Sequence, residues 1–262
     1  MRLWSARRAA AIARAAAAGS SARGSCIRFA WSGLFWLTLC AVSTPAWAEV
    51  GATASIFSDQ RFRGFSLSDG HPVAIAEVAY DDASGFYGDA SGSIVFRPGH
   101  SPEPLGIELI GGYAKRLESG TTIDFGVTHS SYSHYSNSRH GHSYSEIYVG
   151  VSRGVLSSRI FISPHYSESG RWTAYGEANA NFSPASNWSL EAHLGLLRVL
   201  RSASPQPYRS SFDWRLGVSR QLGRVSLHAA WVGHGRASQA FGSPSRESPP
   251  RSALAVGITT AL

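Results

Sequence analysis

Residues 188–196 read Trp188-Ser189-Leu190-Glu191-Ala192-His193-Leu194-Gly195-Leu196. Trp188, Leu190, Ala192, Leu194 and Leu196 alternate with Ser189, Glu191, His193 and Gly195. In an extended chain the apolar side chains therefore share one face and the polar or small ones the other. A helix would scatter Glu191 and His193 among the leucines. The same period of two recurs. Phe86, Gly88, Ala90, Gly92, Ile94 and Phe96 alternate with Tyr87, Asp89, Ser91, Ser93, Val95 and Arg97. Trp172, Ala174, Gly176, Ala178 and Ala180 alternate with Thr173, Tyr175, Glu177, Asn179 and Asn181. Comparable runs start at Thr121, Phe212 and Val225. Each is about ten residues long, the length of a tilted strand that crosses a bilayer.

From these anchors, strands are expected over residues 50–57, 73–80, 86–97, 105–116, 121–131, 143–153, 155–165, 172–182, 188–200, 209–220, 224–233 and 252–262. Their connections alternate in length. Those at 81–84, 117–120, 183–187 and 221–223 are short, whereas 58–72, 98–104, 132–142, 201–208 and 234–251 are long and rich in Ser, Pro, Gly, His or Arg. Short turns on one side and longer loops on the other are the pattern of an outer-membrane barrel. Phe86, Phe96, Trp172, Phe182 and Trp188 stand at strand ends, where aromatic girdles meet the headgroups. The expectation is an all-β fold: a transmembrane, antiparallel, up-and-down β-barrel of about twelve strands. Its last strand puts Leu254, Val256, Ile258 and Leu262 on one face.

The N-terminus reads differently. Residues 1–48 carry Arg2, Arg7, Arg8, Arg14, Arg23 and Arg28 and no acidic residue; an apolar run covers 29–42, and Ala46-Trp47-Ala48 precedes Glu49. A positive start, a short apolar core and a small-x-small site make a secretory signal peptide. The domain expectation is thus a cleaved signal at 1–48 and a barrel at 49–262, localised to the bacterial outer membrane. The full chain has 24 Lys+Arg against 17 Asp+Glu. Without the six signal arginines the balance is 18 to 17, so the basic excess belongs to the signal and does not argue for nucleic-acid binding. Both cysteines, Cys26 and Cys40, leave with it, which excludes disulfides and Cys metal sites in the mature chain.

Strand parity gathers the charges on one face. Glu77, Asp89, Glu108, Asp124, Glu146, Arg159, Glu177, Glu191, Asp213 and Arg215 all take the polar parity, with His193 and His228. A lipid-facing Arg or Lys costs about 2–4 kcal/mol at the bilayer midplane, so this face is expected to line the lumen. It reads as a channel wall that selects by charge, or as a salt-bridge network that fills a narrow bore. Eight carboxylates against Arg159 and Arg215 favour cations. Arg61 and Arg63 lie in the first long loop, either folded inward as a constriction or set at the rim against lipopolysaccharide phosphates. The partners expected are outer-membrane lipid and lipopolysaccharide, the barrel-assembly machinery and small polar solutes.

That first loop, Ser58-Asp59-Gln60-Arg61-Phe62-Arg63-Gly64 followed by Ser68-Asp69-Gly70-His71-Pro72, resembles the opening motif of the proteobacterial outer-membrane porins labelled TorF. Ser84-Gly85-Phe86-Tyr87-Gly88 and Glu146-Ile147-Tyr148-Val149-Gly150 also look like that family. The resemblance implies an outer-membrane barrel with a pore function. One departure is the segment 131–137, which stands where a Tyr-Pro-Gly type loop would be expected.

Two other chemistries have matching residue types. His134-Tyr135-Ser136-Asn137 with Glu146 is similar to the catalytic strand of outer-membrane lipid A deacylases, with Ser136 as nucleophile and His134 as base. It lies mid-chain in a loop, and extended parity turns it from lipid, so no enzyme activity is expected. His71, His100, His134, His140 and His142 could supply metal ligands, but spacing within loops defines no site. The sequence carries no phosphate-binding loop, EF-hand or dinucleotide fingerprint, and no cofactor is expected. Processing is directly checkable. N-terminal sequencing of the membrane form should begin at Glu49, and a mature chain that retains residues 29–42 would contradict the signal assignment.

Overall fold

The computed structural model describes residues 48–133, 142–166, 169–202, 210–235 and 252–262. The chain forms β1 (Glu49–Phe57), β2 (Arg61–Phe62), β3 (Phe65–Ser66), β4 (Val73–Asp81), β5 (Phe86–Val95), β6 (Glu103–Arg116) and β7 (Thr122–Tyr132). It continues through β8 (His142–Arg153), β9 (Leu156–Ser163), β10 (Trp172–Ala185), β11 (Trp188–Arg201), β12 (Ser210–Leu222), β13 (Val225–His234) and β14 (Ser252–Ala261). Twelve of these close into a barrel in which each strand pairs antiparallel with its neighbours in sequence, and β1 meets β14. β2 and β3 form a separate hairpin between β1 and β4. The twelve long strands are the expected ones, with ends moved by at most three residues. The hairpin lies in the first long loop, where an inward constriction or a rim was the expectation; its strands of two residues are too short to show alternation.

Parity decides which way each side chain points. Val50, Ile56, Val78, Ile107, Leu109, Val127, Ile147, Leu194, Leu216, Leu254 and Ile258 are exposed on the outside, several by more than half of their surface. An apolar exterior that encircles the molecule is incompatible with water and matches hydrocarbon. Because only helices and closed barrels satisfy their backbone in lipid, such a jacket on a closed sheet defines a membrane-spanning barrel. Aromatic contacts band it. Phe86, Tyr113 and Phe125 touch in series near the turn end, at 5.1 and 5.7 Å between ring centroids. Trp214 packs on Phe212 and Trp231 toward the loop end, at 5.8 and 6.0 Å. Arg220 lies over the Trp188 ring.

The ends differ as expected. One is made of tight turns, the other of the long connections that include 58–72, 96–102 and 164–171. Gly85 shows what a tight turn demands: its φ is 104°, and a Cβ there would collide with the Ala114 carbonyl. In the same turn the Asp82 carboxylate accepts bonds from the Ser84 amide and hydroxyl, which hold its carboxyl below the usual carboxylate range. Two register shifts, at Ser93/Ile94 and Trp172/Thr173, sit toward the loop end. The first leaves both Leu105 and Glu108 facing inward although they are three residues apart.

Because the mature chain lacks Cys, single-Cys labelling tests this register residue by residue. Cys at 190, 194, 216 or 227 should react only with a lipid-soluble probe, Cys at 191 with a water-soluble one, and Cys at 213 or 228, inside the bore, should be shielded from the lipid-soluble probe. The reverse pattern would mean a slip of one residue.

Candidate channel lumen

The twelve lumen residues expected from parity all turn inward, but into two different environments. On β4, Val73 and Ile75 are buried while Glu77, Ala79 and Asp81 are half-buried. On β10, Thr173, Tyr175 and Glu177 are buried while Asn179 and Asn181 are half-buried. β11 and β12 repeat the pattern: Gly195, Leu197, Ser211 and Asp213 are buried, and Glu191, His193, Arg215 and Gly217 half-buried. On these strands the bore is filled toward the loops and less tightly packed toward the turns, whereas Tyr87, Thr122, Asp124 and Ser226 are buried near the turn end of β5, β7 and β13.

The filling is the β2–β3 hairpin. Its body is organised by Asp59, whose carboxylate accepts from Ser66 Oγ at 2.5 Å, Ser68 Oγ at 2.9 Å and Arg61 Nε at 2.6 Å. Arg61 Nη1 also donates to the Gly64 carbonyl, and the Leu67 amide to the Gln60 carbonyl. The reversal at Arg63-Gly64 has φ of 48° and 81°, the two positive values that a two-residue hairpin turn of matching twist requires. Gly64 is needed for a second reason, since a Cβ would lie 2.5 Å from the Gly233 carbonyl. On this side of the bore Phe65 stacks on His234 of β13, 4.1 Å between centroids.

Arg63 reaches the opposite wall. Its Nη2 donates to Glu146 Oε2 on β8 at 2.7 Å, with both side chains almost wholly buried. Its guanidinium carbon lies 3.8 Å from the centroid of Tyr175, 4.9 Å from Phe62, 5.2 Å from Tyr166 and 5.8 Å from Phe161. In the closed sheet β1 and β8 have four strands between them one way round and six the other. The hairpin thus spans the bore.

Below it the charges pair. Arg159 binds Asp124 at 2.7 Å through Nη2 and 3.0 Å through Nε, and lies over Tyr148. Gly150 stands between them in register, and a Cβ there would collide with Asp124 and Arg159. Tyr87 donates to Asp124 and touches the Tyr148 hydroxyl. Across the lumen His193 Nε2 meets Asp213 Oδ1 at 2.9 Å, and its Nδ1 meets Asn179 Oδ1 at 2.7 Å. Tyr175 donates to Asp213. Arg215 lies 3.5 Å from Glu191.

A family model described as a bacterial protein of unknown function (Gcw_chp) matches residues 43–256. The chain belongs to the Gcw_chp family. Among curated proteins nothing matches it. Among solved structures it is similar to the NanC porin, at 9% identity and a TM-score of 0.52 over 82% of this chain and 100% of that one. It also matches the KdgM porin, at 11% identity and a TM-score of 0.47 over 82% and 99% of the two chains. A third match is an outer membrane channel from Pseudomonas putida F1, at 9% identity and a TM-score of 0.47 over 83% and 96%. At such identity the likeness concerns the fold. The architecture of this Gcw_chp member is that of a bacterial outer-membrane barrel.

Of the expected site residues, the structure pairs Arg63 with Glu146, Asp124 with Arg159, Asp213 with His193 and Glu191 with Arg215, while Arg61 binds Asp59 within the hairpin. Glu77, Asp89, Glu108, Glu177 and His228 line the same interior, with Glu177 opposite Arg159 in the β9–β10 register. Sequence reasoning missed Asp59 and the aromatic wall of Tyr87, Tyr144, Tyr148, Phe161, Tyr166 and Tyr175. The strand members of that wall take the inward parity and were legible, whereas Tyr166 lies in a loop. The expected signal peptide up to Trp47, and His134, Ser136 and His140, lie outside the described residues. Among the described residues no three His, Cys, Asp or Glu side chains group as metal ligands.

Trypsin tests the hairpin. In the refolded barrel the bonds after Arg61 and Arg63 should resist cleavage, as both side chains are buried. Asp59→Ala removes three bonds, each worth about 1.5–3 kcal/mol where a charge takes part, and should open both sites to limited digestion. Equal resistance of the two proteins would refute the organising role of Asp59.

Proposed function

We propose that the mature protein is an outer-membrane channel for passive diffusion of small polar solutes, with the β2–β3 hairpin as its constriction and a modest preference for cations. The observation that carries this reading is a charge-lined interior inside an apolar jacket, with Glu77, Asn179, Asn181 and Glu191 only half-buried toward the turn end. A barrel built only as a scaffold has no need of buried charges in its bore, each of which carries a desolvation cost. The TorF-like opening motif points the same way, and it is this motif that forms the hairpin. Residues 1–48 act as the export signal, the barrel-assembly machinery inserts the product, and lipopolysaccharide surrounds its outer rim.

The charge preference follows from the lining. Eight wall carboxylates and Asp59 face Arg159, Arg215, Arg61, Arg63 and Arg171. Several are paired, so the excess of negative charge that low-dielectric walls focus along the lumen is small. Salt weakens it further as the screening length shortens.

Planar bilayers test both parts. The refolded protein should give small, stable conductance steps, and shortening the hairpin between residues 59 and 70 should enlarge them several-fold. Under a KCl gradient at neutral pH the reversal potential should show cation preference. Absence of conductance in both proteins would overturn the channel reading. Anion preference would overturn the charge assignment alone.

A further inference from the structure

The wall that receives Arg63 sets a carboxylate among aromatic rings. Three contiguous strands and the loop after them supply it: Glu146 from β8, Phe161 from β9, Tyr166 beyond it, and Tyr175 from β10. The carboxylate lies 2.7 Å from one guanidinium nitrogen, and the Tyr175 ring lies 3.8 Å from the central carbon. A carboxylate beside aromatic faces recognises a flat organic cation: the ring quadrupoles attract its charge and the acid fixes its orientation. The pocket is also held in place from behind. The Tyr175 hydroxyl donates to Asp213, which sets the ring and enriches its face with electrons, and Phe161 packs on both Tyr175 and Tyr148.

The hairpin contributes the cation at a cost. Arg63 adopts a positive φ, a conformation unfavourable for a residue other than glycine. The turn has no use for an arginine at that position; glycine or asparagine would fit it better. What Arg63 matches is the opposite wall. One level below, Arg159 sits on Tyr148 with Asp124 as its acid, so the same combination of groups recurs toward the turn end.

We propose that the Glu146–Tyr166–Tyr175 pocket is a solute site for guanidinium-bearing or similarly flat organic cations, and that Arg63 is a tethered stand-in which such a solute displaces as it passes. This deepens the channel reading and rests on it. It names the solute class, and makes the hairpin a constriction that yields to the molecules its own tip imitates.

The test empties the pocket and refills it. Arg63→Gly keeps the turn, because glycine accepts the positive φ, and removes the tethered cation. Heat-modifiable migration on gels confirms that the barrel has folded. Methylguanidinium is then titrated into the detergent-solubilised protein by calorimetry, and added to bilayers while potassium current is recorded. Arg63→Gly should bind methylguanidinium and show concentration-dependent block, whereas the wild type, its pocket occupied, should need about tenfold more. Adding Glu146→Gln or Tyr175→Leu to Arg63→Gly should weaken binding by about tenfold or more. The hairpin-shortened protein, whose pocket faces an open lumen, provides a second reading and should be blocked as Arg63→Gly is. A folded, conducting Arg63→Gly and a shortened protein that both ignore methylguanidinium would overturn the pocket and leave the channel standing. Binding without conductance in any variant would overturn the channel reading, and with it the claim that the pocket lies on a solute path.

Discussion

Everything in this molecule depends on closing the sheet. Hydrocarbon offers no partner to a backbone amide or carbonyl, so an edge strand left open in the bilayer would strand a whole row of them. The seam between β1 and β14 is where that constraint is met. Its ladder runs from Thr53↔Ala261 to Phe57↔Gly257, shorter than the nine pairs that join β1 to β4. Bonds beyond the ladder lengthen it. Ser58 N donates to the Val256 carbonyl at 2.8 Å, Val256 N to Ser58 Oγ at 3.0 Å, and Leu262 N to the Ala52 carbonyl at 3.1 Å. Inside, Ser55 and Thr259 join hydroxyls across the seam at 2.8 Å. Once the ring is closed, each strand has one face in lipid and one in the bore, and the period of two in the sequence becomes a division between solvent types.

Closure at twelve strands sets the second problem. Eight strands make a bore that wall side chains fill, and sixteen leave a water channel. Between these, side chains from the wall reach only part of the way. The chain resolves this by sending its first long connection inward, and by thinning the wall where large groups meet. Gly150 makes room for Asp124 and Arg159, Gly195 for Tyr175 and Asp213, and Gly217 for Glu191. Glycine costs strand stability for want of a side chain to pack. Here the neighbouring strands supply that packing, with a carboxylate or phenol lying over the gap.

The barrel was legible because its signal is repeated: a slip in one strand would have broken the register of the next, and the alternating loop lengths agreed independently. The lumen was half legible. Parity told Glu191 from Leu190, but it could not tell which charges would meet, because partners such as Asp124 and Arg159 lie two strands and 35 residues apart. The hairpin was the least legible part. Its order comes from one buried carboxylate gathering Arg61, Ser66 and Ser68, a pattern without periodicity. Tyr175 illustrates a further limit. Its parity was known, but aromatic residues were assigned to girdles, and a tyrosine in the bore became meaningful only with Arg63 beside it.

The chemistry of the hairpin tip distinguishes a plug from a gate. Sealing a bore requires volume and dryness, and leucine or phenylalanine supplies both without desolvating a charge; replacing buried ion pairs with apolar groups of similar size is often neutral or stabilising. A buried Arg63–Glu146 pair is therefore weak evidence for a part whose only task is to hold the barrel together. Its distinctive property is that it can be exchanged. An apolar tip, once seated, is released only by exposing its surface to water. A charged tip can be relieved by another cation, which offers Glu146 the same bond and Tyr175 the same face while Arg63 regains its hydration. Strain at the tip, a prebuilt site opposite and a body kept rigid by Asp59 together describe an element that can move as a unit between two places. Among the described residues only the hairpin combines these features, and it lies where the bore is filled.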